Sequence, residues 1–371
     1  MPRFADHLYR DGPTNPFPGL KALERRLGRE IPYRLGSNEG LDMPHQALGA
    51  RFGRELADLA RCYGDAEAMG VRSRLSERLG TPLEALLVDA GADSLMALAL
   101  RAVATPGTTV VSSAGTYPTF GYFAAGQGCR IVEVDYRDSP GILAPDLDAL
   151  AQAAHREDAR LVYLANPDNP GGHLHDDEAV TRLLKALPED CHLLLDEAYH
   201  DFRADADSPS AGEAWSGAIR LRTFSKAHGL AGLRIGYAIA EPETIEMLHK
   251  VRIHYAVSSL AEAAAETLLD HSGETRAHVQ AVIDRRQRLT HWLRGLGADV
   301  PDSATNFVAV RLSDTELAKR VHGELLEAGS LIHRPPHPAL GHVLRISAVE
   351  DALRPGRLAA LERAVSGRLE G

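Results

Sequence analysis

Three cysteines in 371 residues are too few for a disulfide framework. Cys62, Cys129 and Cys191 form an odd set with no metal-like spacing, so no metal site is expected and a reduced, cytoplasmic compartment is. No apolar run is long enough to span a bilayer. The opening stretch, Met1 to Gly19, carries prolines and charges in place of the apolar core of a secretory signal. An excess of basic charge is missing too. Lys and Arg total 41 against 51 Asp and Glu, and the formal net charge of −10 argues against nucleic acid or an anionic membrane as the main partner. There is no internal repeat, no low-complexity tract, and no Gly-x-Gly-x-x-Gly or Walker loop after the first strand. What remains is an ordinary globular composition, 44% hydrophobic and 25% charged, on a chain that suits a large domain plus a smaller one.

The pattern along the chain gives the architecture. Residues 1–45, rich in Pro, Gly and Asn, read as an extended arm with one helix near Leu20 to Leu27. Helices are expected at Arg51 to Ala60 and at Glu67 to Leu79, the second stopped by Gly80 and Pro82. From Leu86 onward, short apolar strands alternate with helical stretches as far as Arg222. That alternation predicts an α/β fold, a mainly parallel sheet sandwiched by helices, over 46–265. A long helical stretch, Ser258 to Leu296, leads into a smaller α+β C-terminal domain over 266–371. Ligands of such sheets bind at the carboxyl ends of the strands.

The residues that can carry chemistry fall at those ends. Lys226 lies in a glycine-rich loop between two apolar runs, where an ammonium must be paired, neutral or covalently used. A lysine on a loop, taken alone, is far more often an ordinary surface residue. Gly91-Ala-Asp-Ser94 opens a helix and offers free N–H groups at a positive dipole end, a phosphate site or a plain packing turn. Asp196 ends the run Leu193 to Leu195 and can pair with a cationic ring nitrogen, or be an acid at a loop entrance. Tyr199 and Asn169 can donate to a phenolic oxygen. Tyr117 can stack on a ring. Ala92, Asp93, Ser225 and Arg234 can hold a phosphate. Arg345, on an apolar strand, offers the planar fork that suits a carboxylate, or faces solvent. Together these meet the demands of pyridoxal phosphate, with Lys226 as its Schiff-base partner.

The ordered set Tyr63-Gly-Asp, Gly91-Ala-Asp93, Thr116-Tyr117, Asn166-Pro-Asp-Asn-Pro-Gly-Gly172, Asp196-Glu-Ala-Tyr199, Thr223-Phe-Ser-Lys226, Leu230-Ala-Gly-Leu-Arg234 and Leu344-Arg-Ile346 resembles the aminotransferases of the fold-type I pyridoxal-phosphate enzymes, and most nearly the histidinol-phosphate aminotransferase branch. The likeness runs from about Ser37 to Glu350. It implies a homodimeric, cytoplasmic enzyme of amino acid biosynthesis that passes an amino group between an amino acid or amino-phosphate and a 2-oxo acid. In its terms Lys226 carries the cofactor, Asp196 pairs with the ring nitrogen, and Tyr199 and Asn169 bind the ring oxygen. Tyr117 stacks on the ring, and Ala92, Asp93, Ser225 and Arg234 bind the phosphate. Tyr63 reaches the phosphate of the partner subunit, Asn38 and Arg345 hold the substrate carboxylate, and Arg334 holds a distal anion or is a strand-end surface residue.

The chain departs from the family pattern at three places. Asn169-Pro-Gly-Gly172 replaces Asn-Pro-Thr-Gly, His228 stands where an aromatic follows Ser-Lys-Ala, and Asn38-Glu-Gly-Leu41 replaces Asn-Glu-Asn-Pro. These leave the cofactor set intact and the substrate open. A decarboxylase, lyase or cyclase on the same fold would use the same residues, and a catalytically silent binding module is a rival outside enzymes.

Overall fold

The computed structural model describes residues 20–53 and 55–366. Its apolar runs form seven strands: β1 (Leu86–Asp89), β2 (Thr109–Ser113), β3 (Arg130–Val134), β4 (Leu161–Ala165), β5 (His192–Asp196), β6 (Ala218–Thr223) and β7 (Gly236–Ile239). They make one sheet in the order β1-β7-β6-β5-β4-β2-β3. Pairing is parallel from β6 across to β3, and β7 alone runs antiparallel to both of its neighbours. The reason is the connection. Between β6 and β7 the chain makes only a loop with one short 3-10 turn, Ala231–Leu233, and without a crossover helix it must return reversed.

Side chains alternate across the sheet, and both faces are covered. Leu161, Tyr163 and Ala165 of β4 pack toward helices Ala92–Val103 and Pro118–Gly126. Val162 and Leu164 pack toward helices Leu147–Arg156 and Asp177–Ala186 on the other side. Each of those last two helices starts on an aspartate, Asp146 or Asp176, whose side chain accepts a backbone N–H three residues on.

A second body is built on β8 (Phe307–Arg311) and β9 (Val343–Ser347), an antiparallel pair with Ala309 opposite Arg345. Leu289 and Leu293 of helix Ser272–Gly295 and Val321 and Leu325 of helix Thr315–Glu327 close its core. Leu35 lies in the same core and is fully buried, worth about 2 kcal/mol of burial. Tyr33–Arg34 pairs with Ser330–Leu331. The described part of the arm, residues 20–45, thus belongs structurally to the second body at Tyr33 and Leu35; residues 1–19 lie outside the described residues. Residue 265 falls within helix Ser259–Asp270, whose Ala261, Ala264, Ala265 and Leu268 pack into the larger body.

Three local expectations differ from the structure. The helix expected at 51–60 is two, Gln46–Arg51 and Glu55–Arg61, with Gly53 between them. A hairpin, Arg137–Ser139 with Ile142–Ala144, arises where an exposed Arg-Asp-Ser triplet shows no apolar alternation. The final helix, which the pattern along the chain puts at Arg354 to Leu369, is Ala359–Val365, because Gly356 adopts φ 78° and breaks its start; residues 367–369 lie outside the described residues. No helix among the described residues is long and apolar enough to cross a membrane.

Candidate active site

The carboxyl ends of β1, β2, β4, β5 and β6 converge on a cavity of about 290 Å³. Ala92, Asp93, Tyr117, Asn169, Asp196, Tyr199, Ser225, Lys226 and Arg234 all line it.

Lys226 stands on a tight loop after β6. The loop closes through Gly229 N–H to the Lys226 carbonyl (3.2 Å) and Leu230 N–H to the Phe224 carbonyl (2.9 Å). Gly40 lies against it so closely that a Cβ there would meet the Lys226 carbonyl oxygen at 2.7 Å, which explains a glycine at this departure from the family pattern. The Nζ sits 5.9 Å from the centre of the Tyr199 ring. Burial first, and then the Arg345 guanidinium, pull it down to about 8 against the opposing pull of Asp93 and Glu39. A buried amine with that proton affinity is accessible in its neutral, nucleophilic form near physiological pH.

Asp196 ends β5 and is 5% exposed. Its Oδ1 accepts the Ala198 N–H (3.0 Å) and its Oδ2 the Tyr163 hydroxyl (2.8 Å). Burial raises it to about 6, and these two donors hold it from rising further. It therefore remains a carboxylate at neutral pH. The neighbouring Glu197 turns the other way and binds the buried guanidinium groups of Arg220 (2.9 Å) and Arg222 (3.0 Å), which pins the end of β5 to β6.

Tyr199 is buried edge-on to Phe307. Its hydroxyl accepts from Asn38 Nδ2 (3.0 Å), so the phenolic proton is left to donate elsewhere. Asn169 uses its amide oxygen to accept from Arg345 Nη1 (2.5 Å), which leaves its NH₂. Arg345 is 4% exposed, so it is not a solvated strand residue. Its Nη2 donates to the Gly36 carbonyl (2.7 Å), while its buried Nε has no partner.

At the opposite end, helix Ala92–Val103 begins beside Arg234. Gly91 has φ 85°, and a Cβ there would meet Arg234 Nη2 at 2.9 Å, so only glycine leaves the opening clear. Arg234 itself adopts φ 51° and approaches Ser225 Oγ and Asp93 Oδ2, each at 3.4 Å. Tyr117 closes the wall, its hydroxyl on Asp93 Oδ1 (3.1 Å). Helix N-terminus, hydroxyl and guanidinium together form an anion cradle.

A second cavity, of about 480 Å³, adjoins the first and shares Ser37, Tyr117, Asn169, Tyr199 and Lys226 with it. Asn38, Arg345 and Arg334 line this one, with His322, His333 and an apolar wall that includes Leu20, Leu23, Leu326 and Leu331. Arg334 makes no hydrogen bond or ion pair with another described residue. Tyr63 is the candidate that the chain does not bring to either cavity. It is 84% exposed and packs against Tyr255, ring centres 5.1 Å apart and planes tilted by 34°.

Cations at both ends, a buried carboxylate between them and an amine of low proton affinity suit the chemistry of pyridoxal phosphate: cradle for phosphate, Asp196 for the ring nitrogen, Lys226 for the aldehyde carbon. The model of the class I and II aminotransferases matches residues 32–354. The chain belongs to this family. The aminotransferase is 35% identical over 354 residues to histidinol-phosphate aminotransferase 2 of Ralstonia nicotianae, covering 94% of this chain and 93% of that one. It is 35% identical over 316 residues to the aromatic amino acid aminotransferase of Nocardia farcinica, covering 83% and 86%. The crystal structure of histidinol-phosphate aminotransferase from Sinorhizobium meliloti in complex with pyridoxal-5'-phosphate superposes with a TM-score of 0.88 at 36% identity, covering 99% of this chain and 97% of that one. The protein is a pyridoxal-phosphate-dependent aminotransferase.

Several residues of the site were not anticipated from sequence. Tyr163 is one; its signal was a phenol inside an otherwise apolar strand, where a hydroxyl needs a partner. Thr223 and Glu39 stand in motifs read from the sequence but had no role there; Thr223 donates to Ser225 Oγ at 2.9 Å, and Glu39 lines the first cavity. The cavity residues Ser37, His322 and His333 carried no signal of their own.

Proposed function

We propose that this aminotransferase takes its amino group from, or gives it to, a compound that carries an anion remote from the nitrogen, with a 2-oxo acid as the other partner. The observation that carries the reading is Arg334, a guanidinium unpaired among the described residues, lining a cavity that also holds Lys226 and Arg345. The apolar wall between them suits a ring or short hydrocarbon joining amine to anion. The relatives named for histidinol phosphate support a phosphate as that anion and a place in histidine biosynthesis.

When bound, pyridoxal phosphate supplies the electron sink that makes the substrate Cα–H acidic. Asp196 holds the proton of the ring nitrogen, and Tyr199 and the Asn169 NH₂ donate to the ring oxygen. Tyr117, on the cavity wall, would pack against the ring. The N–H groups of Ala92 and Asp93, with Ser225 and Arg234, hold the phosphate. Arg345, with its orphaned Nε, and Asn38 hold the substrate carboxylate. Lys226 removes the Cα proton and returns it. A homodimer completes the site: Tyr63, Ile253 and Tyr255 present an exposed apolar patch, and Tyr63 of one subunit reaches the phosphate end of the other. Three free cysteines support a reduced, cytoplasmic setting. We place the boundary between the two bodies at the end of helix Ser259–Asp270, close to the expected 265.

Arg334→Ala tests the substrate reading. KM for a substrate with a distal phosphate or carboxylate rises about tenfold or more, the scale of a lost hydrogen bond to a charged group, while kcat holds and a neutral amino acid is unaffected. An equal response from both substrates rules the reading out.

A further inference from the structure

Tyr163 touches Asp196 from the side away from the cavity. Its hydroxyl donates to Asp196 Oδ2 at 2.8 Å, and both residues are buried. The register of β4 and β5 sets Ala165 opposite Asp196 and Tyr163 opposite Leu194, so the phenol reaches the carboxylate diagonally along the sheet. Phe120 fixes the ring from below, stacked at 4.4 Å and 9°. The other oxygen is held by Ala198 N–H. Each oxygen thus has a donor among the described residues, and the carboxylate cannot rotate without losing both.

We propose that Tyr163 is a positioning residue for the reaction: its hydroxyl fixes the Asp196 carboxylate and lowers its basicity, so that the proton shared with the cofactor's ring nitrogen stays on the nitrogen. The inference rests on the reading of Asp196 as the ring-nitrogen partner. Its physics is general. A carboxylate that accepts a charge-assisted hydrogen bond in a dry site gives up part of its affinity for a second proton. A ligand's partner is commonly oriented by a further hydrogen bond behind it. The other charged and titratable groups facing Asp196 are Lys226, Asp93, Tyr117 and Tyr199. Among the described side chains, Tyr163 donates a hydrogen bond to the Asp196 carboxylate.

The test uses the holoenzyme with an isotope-labelled ring nitrogen, observed by NMR, in Tyr163→Phe and in Asp196→Asn. Phe keeps the ring and removes only the hydroxyl. The expected result is a Tyr163→Phe ring-nitrogen resonance displaced toward the unprotonated form. With it, the acid limb of the kcat profile moves to higher pH and kcat falls about tenfold with KM little changed. A fluorinated tyrosine at 163, a stronger donor, keeps the contact and displaces the resonance the opposite way; this arm decides the matter even where the Phe variant folds poorly. If Asp196→Asn moves the resonance and neither change at 163 does, Tyr163 only fills the core and the proposal is wrong. If Asp196→Asn also leaves the resonance unmoved, Asp196 is not the ring-nitrogen partner, and that earlier reading fails together with this one.

Discussion

Lys226→Met should make the cofactor-free protein more stable while abolishing turnover. In the cofactor-free protein Lys226 Nζ is buried, and its proton affinity falls from 10.5 to about 8. At 1.36 kcal/mol for each tenfold change, that gap is worth about 3 kcal/mol, a cost the native state carries whenever the amine is charged. The sign follows from proton counts. Below pH 8 both native and unfolded chains are protonated and the cost is full. Between 8 and 10.5 the native chain has lost its proton while the unfolded chain keeps it, so stability rises with pH. Above 10.5 both are neutral and the cost is gone. Methionine, of similar length and never charged, escapes it throughout. Urea unfolding of both cofactor-free proteins, near neutral pH and again above 10.5, measures the difference. It should be about 3 kcal/mol in favour of the variant at neutral pH and should shrink as pH rises; any gain from methionine packing is independent of pH. Equal stabilities at neutral pH, or a difference that does not change with pH, refutes the reasoning. Added pyridoxal phosphate should reverse the ranking, because only the wild-type chain can bind it covalently. The strain is the ordinary cost of a functional site.

Two further outcomes are expected. In hybrids of one Tyr63→Phe chain with one Lys226→Ala chain, the single live site should behave like the unmutated enzyme, because its Tyr63 comes from the other subunit; a live site with the Tyr63→Phe defect places Tyr63 within its own chain. Gly171→Thr, which restores the family pattern, should lower stability by about 1–3 kcal/mol in denaturant unfolding, because a Cβ at 171 would meet the Leu143 carbonyl oxygen at 2.4 Å and Asp168 Oδ2 at 2.7 Å; unchanged stability would show that the hairpin yields.

The strand ends were legible because each carries a polar residue after an apolar run, as in Leu193 to Asp196 or Leu221 to Lys226, and such a pattern has one place to go in a covered parallel sheet. What sequence could not supply was partnership across the fold. Tyr163 and Asp196 are separated by β5 and a whole helix, and only the register joins them. Gly171 reads as a lost threonine until the 137–144 hairpin is seen to press Leu143 against it. Arg345 could face either way on its strand; its burial follows from the packing of Phe307 and Asn169 around it. Leu35 gave no sign that an N-terminal residue completes the core of a C-terminal body.

That last feature links the two bodies to the chemistry. Gly36 lies against the backbone of Ile332 and His333, where a Cβ would come within 2.6 Å of each. Asn38, with φ 53°, is 1% exposed. Its N–H donates to Ser347 Oγ (3.1 Å), its Oδ1 accepts from the same hydroxyl (2.7 Å), and its carbonyl accepts from Asn306 Nδ2 (3.2 Å). Its Nδ2 donates to Tyr199. Two residues on, Gly40 touches the Lys226 loop. A short segment therefore carries the position of β9 to both Tyr199 and Lys226. Ser347→Ala leaves Asn38 N–H and Oδ1 buried without that partner, and unfolding should cost about 1–3 kcal/mol less. It should also lower kcat, because the amide that orients the Tyr199 hydroxyl is loosened. The route is checked by a double-mutant cycle with Tyr199→Phe. If Ser347 acts through Asn38 on that hydroxyl, adding Ser347→Ala to Tyr199→Phe lowers kcat no further; fully additive losses would mean that the second body acts on the reaction by another path.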